Sequence, residues 1–139
     1  MNPQLTVMCG LPGANKTAVA NLMKGVTVSR ADHQNDAYET ILDLLNQGQD
    51  VTYDAQNLTA KERTDLLNYV RSNYAHKHTG RIDAVCIYIQ KSVVDCMKKL
   101  EDENRYMPIK ALLQLEKQTQ VPNYSEGWDC IMTVTQTIE

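Results

Sequence analysis

The residues Gly10-Leu11-Pro12-Gly13-Ala14-Asn15-Lys16-Thr17 carry the most specific chemistry in this chain. Their spacing approaches the pattern G-x-x-x-x-G-K-[ST]. In that loop, backbone N–H groups and the start of the next helix cradle phosphate oxygens. Gly10, Lys16 and Thr17 match, and Asn15 stands where the second glycine is expected. Asn is the least costly substitute if the position needs positive φ. On this reading Gly10, Gly13, Ala14, Asn15, Lys16 and Thr17 hold a nucleoside triphosphate, taken as ATP. Lys16 neutralises its β- and γ-phosphates, and the Thr17 hydroxyl ligates magnesium. The competing reading is a Gly/Pro turn that merely caps a helix. An apolar run before the loop and a helical segment after it favour phosphate binding.

Four further groups need the same weighing. Asp32, in Val28-Ser29-Arg30-Ala31-Asp32, follows a short apolar run and would accept the proton of an attacking hydroxyl. Asp is equally a preferred helix cap. Asp54 and Asn57 lie in Asp54-Ala55-Gln56-Asn57-Leu58-Thr59. Asp54 would hold magnesium through water, or orient the lid or the acceptor, while Asn57 would fix the loop; both also suit plain turns. Arg63 reads as an acceptor contact or as a solvated helix face. Lys98, Lys99 and Arg105 cluster near a helix end, where a mobile lid supplies positive charge to a transferring phosphoryl group. Arg105 is the first choice because it precedes Pro108; the alternative is a cationic helix C-terminus complementing the macrodipole. His33, His76 and His78 form no cluster and receive no role.

The elements that must position these groups alternate between two periods. Leu5–Cys9, Val26–Ser29, Asp50–Asp54, Ala84–Ile89 and Trp128–Val134 read as strands. Thr17–Met23 and Asp36–Gln47 read as helices, the second with a stripe of Ala37, Ile41, Leu44 and Leu45. Thr59 with Glu62 has capping-box spacing and opens a helix carrying Leu66, Leu67 and Val70. Ser92 with Asp95 opens the next, and Pro108 another through Ala111, Leu112 and Leu115. Strands alternating with helices predict an α/β fold: a three-layer α/β/α domain with a mostly parallel five-stranded sheet, as in P-loop NTPases. Ligands of such sheets bind beyond the carboxyl ends of the strands.

The bulk numbers set outer limits. A chain of 139 residues with 42% hydrophobic and 22% charged residues is expected to make one domain, residues 1–139. A formal charge of -3 offers no general basic surface for nucleic acid. No apolar run approaches the roughly 20 residues of a membrane span, and no signal peptide is visible. Cys9, Cys86, Cys96 and Cys130 form no CxxC pair, and three sit in apolar runs. They read as buried free thiols in a reducing, cytoplasmic compartment.

Taken in order, Gly10–Thr17, Ser29–Asp32, Asp54–Thr59 with Arg63, Asn104-Arg105-Tyr106-Met107-Pro108 and Glu126-Gly127-Trp128-Asp129 resemble the 5′-kinase domain of phage polynucleotide kinases and their AAA-type P-loop kinase relatives. The likeness covers nearly the whole chain. It implies magnesium-requiring transfer of the ATP γ-phosphate to a hydroxyl, in the best-known members the 5′-hydroxyl of DNA or RNA. By resemblance Asp32 is the general base, Lys16 and Arg105 are the phosphate clamps, and Thr17 is the metal ligand. Asp54, Asn57 and Arg63 face the acceptor, with Asp54 also toward the metal. Asn15 in place of glycine, and Ala31 between Arg30 and Asp32, keep two alternatives open: a kinase of a small-molecule acceptor, and a module that binds NTP without turnover.

Overall fold

The computed structural model describes residues 2–135. Its elements follow in the order β1 (Gln4–Cys9), α1 (Lys16–Ala20), β2 (Val26–Ser29), α2 (Ala37–Asn46), β3 (Val51–Asp54), α3 (Ala60–Asn73), β4 (Asp83–Gln90), α4 (Val93–Asp102), α5 (Ile109–Gln118), a 3₁₀ turn (Tyr124–Glu126) and β5 (Cys130–Thr135). The five strands form one sheet in the order β2-β3-β1-β4-β5. Every pairing is parallel, so the sheet is wholly rather than mostly parallel.

Strand alternation divides the core. Leu5, Val7 and Cys9 of β1 and Ala84 and Cys86 of β4 face one side, where Ile41 and Leu45 of α2 and Leu66, Leu67 and Val70 of α3 cover them. Met8 and Val85, Ile87 and Ile89 face the other, under Ala20 of α1, Cys96 and Leu100 of α4 and Leu112 of α5. A parallel strand buried on both faces needs a near-continuous apolar run, which β1 and β4 have. Helices on both faces complete the expected α/β/α layering.

Several ends are set by single contacts. Thr59 caps α3: its hydroxyl accepts from the Glu62 N–H at 3.2 Å and donates to Glu62 Oε1 at 3.0 Å. Ser92 caps α4 by accepting from the Asp95 N–H at 3.1 Å. Helix α1 stops at Ala20, short of the expected Met23. The chain turns there toward Gly25, whose added Cβ would lie 2.1 Å from the Asp50 carbonyl oxygen. Strand β5 begins at Cys130 rather than Trp128. Asp129 spends its N–H and carboxylate on the backbone of Ala84, at 2.8 Å each, and so steers the chain into the sheet.

Candidate active site

The site lies beyond the carboxyl ends of β1, β2 and β3, where parallel sheets open. The turn after β1 is fastened from three sides. The Gly10 N–H donates to the Gln56 carbonyl at 3.0 Å. The Lys91 ammonium, just past β4, donates to the Gly13 carbonyl at 3.1 Å. Gly13 itself has φ 82°, and a Cβ there would meet the Cys96 carbonyl oxygen of α4 at 2.4 Å. Only glycine permits that approach. Asn15 adopts φ 72° and ψ 33°, the left-handed conformation that Asn tolerates best after glycine. The residue that departs from the loop pattern thus stands at a left-handed position, where Gly and then Asn cost least.

Lys16 and Thr17 open α1 on this base. The Lys16 ammonium donates to the Leu11 carbonyl at 2.8 Å. Burial pulls its pKa below the usual lysine value, while the nearby Asp54 carboxylate pulls the other way. The Thr17 hydroxyl donates to Asp54 Oδ2 at 2.7 Å. A hydroxyl and a carboxylate are hard oxygen donors of the kind that could hold magnesium. Among the described residues no group of three or more His, Cys, Asp and Glu could hold a metal alone. Magnesium bound largely through phosphates needs no such cage.

One cleft of 1310 Å³ gathers Gly13, Asn15, Lys16, Thr17, Asp32, Asp54 and Arg105. Asp32 does not cap α2, whose N-cap is Asp36. It hangs on a turn made by Ser29, which accepts the Asp32 N–H on its hydroxyl at 3.1 Å and the His33 N–H on its carbonyl at 3.1 Å. Arg105 follows Asn104, whose φ of 56° ends α4 by sending the Arg105 N–H back to the Leu100 carbonyl at 2.7 Å. Its guanidinium donates to Glu103 Oε1 at 3.2 Å, and the other oxygen of Glu103 lies 3.9 Å from the Lys99 ammonium.

Four expected site residues behave differently. Gly10 and Ala14 lie outside this cleft, and both spend their N–H groups inside the protein, Ala14 on the Leu11 carbonyl at 3.0 Å. Asn57, expected beside the acceptor, is buried, has φ 47° and donates to the Met8 carbonyl at 2.8 Å. Arg63 is 0% exposed. Its guanidinium forks onto Glu126 at 2.8 and 2.9 Å and holds the Asn57 carbonyl at 2.8 Å. Neither reaches the cleft. Arg63 and Asn57 brace the chain beneath the phosphate loop, because a buried guanidinium must spend its charge on a partner there.

Sequence reasoning missed the loop-fastening role of Lys91 and the counter-charge of Glu103. Lys91 had a readable signal, a cation immediately beyond a buried parallel strand. Glu103 had none, since its partners meet only through the helix end. The Cys9 and Cys86 thiols are inert: burial pushes Cys9 up to about 11 against the pull of Arg63, and Cys86 up to about 12, whereas Cys130, expected to be buried, is only half-buried. Among the described residues no helix is long and apolar enough to cross a membrane.

No family model and no curated protein matches this chain. Solved structures do match, at low identity. A fungal RNA kinase superposes with a TM-score of 0.76 at 13% identity, covering 99% of this chain and 76% of that one. A candidate kinase from Chloroflexus aurantiacus gives the same TM-score and identity over 99% and 90%. The APS kinase CysC of Mycobacterium tuberculosis, solved with AMPPNP and APS, gives 0.63 at 15% over 95% and 88%. The fold of this chain is that of the P-loop kinases.

Proposed function

We propose that this chain is a phosphotransferase that moves the γ-phosphate of ATP to a hydroxyl, with the 5′-hydroxyl of a polynucleotide as its acceptor. The proposal takes residues 1–139 as one domain. The observation that carries it is a single cleft holding a phosphate-loop lysine, a hydroxyl–carboxylate pair, a free carboxylate and a lid arginine. The resemblance to polynucleotide kinases across the loop, the Asp32 turn and the Arg105 lid supports the acceptor class, as does an RNA kinase among the fold neighbours.

In the transfer, the acceptor oxygen forms a bond to the γ-phosphorus as the bond to the β–γ bridging oxygen breaks, and ADP leaves. Asp32 takes the proton of the acceptor hydroxyl on its carboxylate. Lys16 leaves the Leu11 carbonyl for the β- and γ-phosphate oxygens, a move whose cost is one neutral acceptor exchanged for charged ones. Arg105 leaves Glu103 in the same way for the transferring group. Thr17 and Asp54 are the residues that would hold magnesium, which supplies positive charge against the phosphate oxygens. The left-handed Asn15 supports an open loop and so weighs against the lapsed module.

A second reading keeps the chemistry and changes the acceptor. Among the described residues no aromatic side chain lines the cleft, which favours a small molecule over a stacked base. The test is transfer of label from γ-labelled ATP with magnesium to 5′-hydroxyl DNA and RNA oligonucleotides, with Lys16→Ala as control. We expect Lys16-dependent labelling. Turnover unchanged by Lys16→Ala would sink the loop assignment. ATP binding without transfer to either oligonucleotide would turn the proposal toward the small acceptor.

A further inference from the structure

The ion pairs of this chain differ in where they stand. Arg63 with Glu126, Arg71 and Arg81 with Asp129, and Lys61 with Asp65 lie away from the phosphate cleft. Among the described residues, the ion pairs with both members lining the cleft share one carboxylate, Glu103. Its Oε1 accepts from the Arg105 guanidinium at 3.2 Å, and its Oε2 lies 3.9 Å from the Lys99 ammonium. The end of α4 fixes this meeting. Glu103 is the C-cap of that helix, Asn104 turns at φ 56°, and the Arg105 N–H returns to the Leu100 carbonyl at 2.7 Å. Glu103 and Arg105 therefore flank one left-handed residue.

Helix stability alone disfavours a carboxylate at that position. Glu103 follows Glu101 and Asp102 at a helix C-terminus, where the macrodipole is already negative and favours cations. What the carboxylate meets there is a pair of cations that face the cleft. Arg105 stands close enough to Lys16 that its charge, after burial, helps to lower the Lys16 pKa. The pairing is also exposed. The Arg105 and Glu103 side chains are 62% and 39% exposed, whereas those of Arg63 and Glu126 are 0% and 8%. An exposed pair shifts an equilibrium by only a few-fold. The buried pair holds its arginine permanently, and the exposed one can exchange Glu103 for a more highly charged phosphate.

We propose that Glu103 is a competing anion for Arg105: it holds the guanidinium when no γ-phosphate is present, yields it to the γ-phosphate of a bound nucleoside triphosphate, and takes it back once that phosphate has gone. No covalent bond changes in this latch; one anion replaces another on the guanidinium. Glu103 is a positioning residue, acting through Arg105 and touching no reacting atom. The exchange lowers affinity for the triphosphate by the worth of the pair. It leaves the diphosphate unaffected, because that ligand has no γ-phosphate to claim Arg105. The latch rests on the phosphotransferase reading above and adds to it a return step for the lid arginine after transfer.

The experiment is calorimetric titration of AMPPNP and of ADP, each with magnesium, into the wild type, Glu103→Gln, Glu103→Asp, Arg105→Ala and the double variant Glu103→Gln/Arg105→Ala. Glu103→Gln should bind AMPPNP about two- to fivefold tighter than the wild type and ADP equally well, the gain being the worth of an exposed ion pair. Glu103→Asp, which keeps the charge, should lie nearer the wild type. Arg105→Ala should weaken AMPPNP binding by about tenfold or more, as the loss of a charged hydrogen bond does. In that background Glu103→Gln should bring only a fraction of its gain, because Lys99 alone remains to be competed for. The unfolding temperature of Glu103→Gln should match or exceed that of the wild type, since a charge opposing the macrodipole is removed. Unchanged AMPPNP affinity in Glu103→Gln, an equal gain for ADP, or the full gain persisting without Arg105 overturns the proposal. So does a lower unfolding temperature with weaker AMPPNP binding, which would make Glu103 a structural cap. If neither nucleotide binds the wild type, the latch falls with the phosphate cleft. If the nucleotides bind as expected but γ-labelled ATP gives no Lys16-dependent transfer, the latch stands and the phosphotransferase reading falls.

Discussion

Replacing Arg63 by Met should cost stability and leave acceptor affinity alone. The guanidinium is fully buried, and the Glu126 side chain it grips is only 8% exposed. The substitution removes two hydrogen bonds to Glu126, one to the Asn57 carbonyl and a weak one to the Cys9 sulfur at 3.6 Å. Glu126 keeps the Trp128 indole N–H at 3.0 Å and the Asn123 N–H at 3.3 Å, so its charge is left half-served. Breaking a buried pair from one side costs about 3–5 kcal/mol, most of it from the charge left behind. Met fills much of the vacated stem volume, so cavity cost adds little. With a urea m-value of about 2 kcal/mol/M for a chain of this size, the unfolding midpoint should fall by roughly 2 M. Adding Glu126→Gln to Arg63→Met should recover part of the loss, since it removes the uncompensated charge. The pair also sets a pH dependence. Burial alone would raise the Glu126 carboxyl, but the hydrogen bonds from Arg63 and Trp128 outweigh it and hold it below the usual glutamate range. Its contribution is therefore complete above about pH 4.3 and is lost as pH falls through the lower folded value. The wild type should outlast Glu126→Gln at pH 7 and lose that advantage in acid. A stable Arg63→Met protein with a raised acceptor KM would refute the structural role and return Arg63 to the acceptor.

Asp32→Asn should lower kcat by about 10²–10⁴ with KM for ATP within about twofold, because it removes a proton acceptor and no phosphate contact; steady-state kinetics at wild-type activity would leave Asp32 as a turn residue. Gly13→Ala should lower stability by about 1–3 kcal/mol and weaken ATP binding, because the new Cβ meets the Cys96 carbonyl oxygen and sits at φ 82°. Thermal unfolding and ATP titration both unchanged would show that the loop can move off α4. Asn15→Gly should keep ATP affinity within a few-fold, while Asn15→Val should weaken it by about tenfold, since a β-branched residue resists the left-handed region at a cost of about 1–2 kcal/mol. Equal affinities in the two variants would falsify the conformational account.

The fold was legible where one physical signal sufficed. Ala84–Ile89 had to be a strand buried on both faces, and Thr59 with Glu62 had to open a helix, because each pattern has a short-range cause that tertiary contacts only reinforce. The end of α1 and the start of β5 were not legible. They depend on Gly25 meeting Asp50 and on Asp129 meeting Ala84, contacts that join segments 25 and 45 residues apart in the chain. Sequence spacing carries no record of such meetings.

The site divides along the same line. Lys16 and Thr17 sit at the start of a helix after a buried strand, so their direction follows from local geometry. Asn15 is readable too, since its left-handed backbone is a property of one residue. Arginines are different. Arg30 and Arg63 both follow strands of the same sheet, and both are charged side chains near a loop. Which of them faces a ligand depends on where carboxylates fall in space, and Glu126 lies 63 residues beyond Arg63. A charge that has found a buried partner is part of the frame, and one held in a cleft without a partner is available to a ligand. That distinction places Arg63 in the frame and leaves Arg30 in the cleft, and only the folded chain supplies the pairing on which it rests.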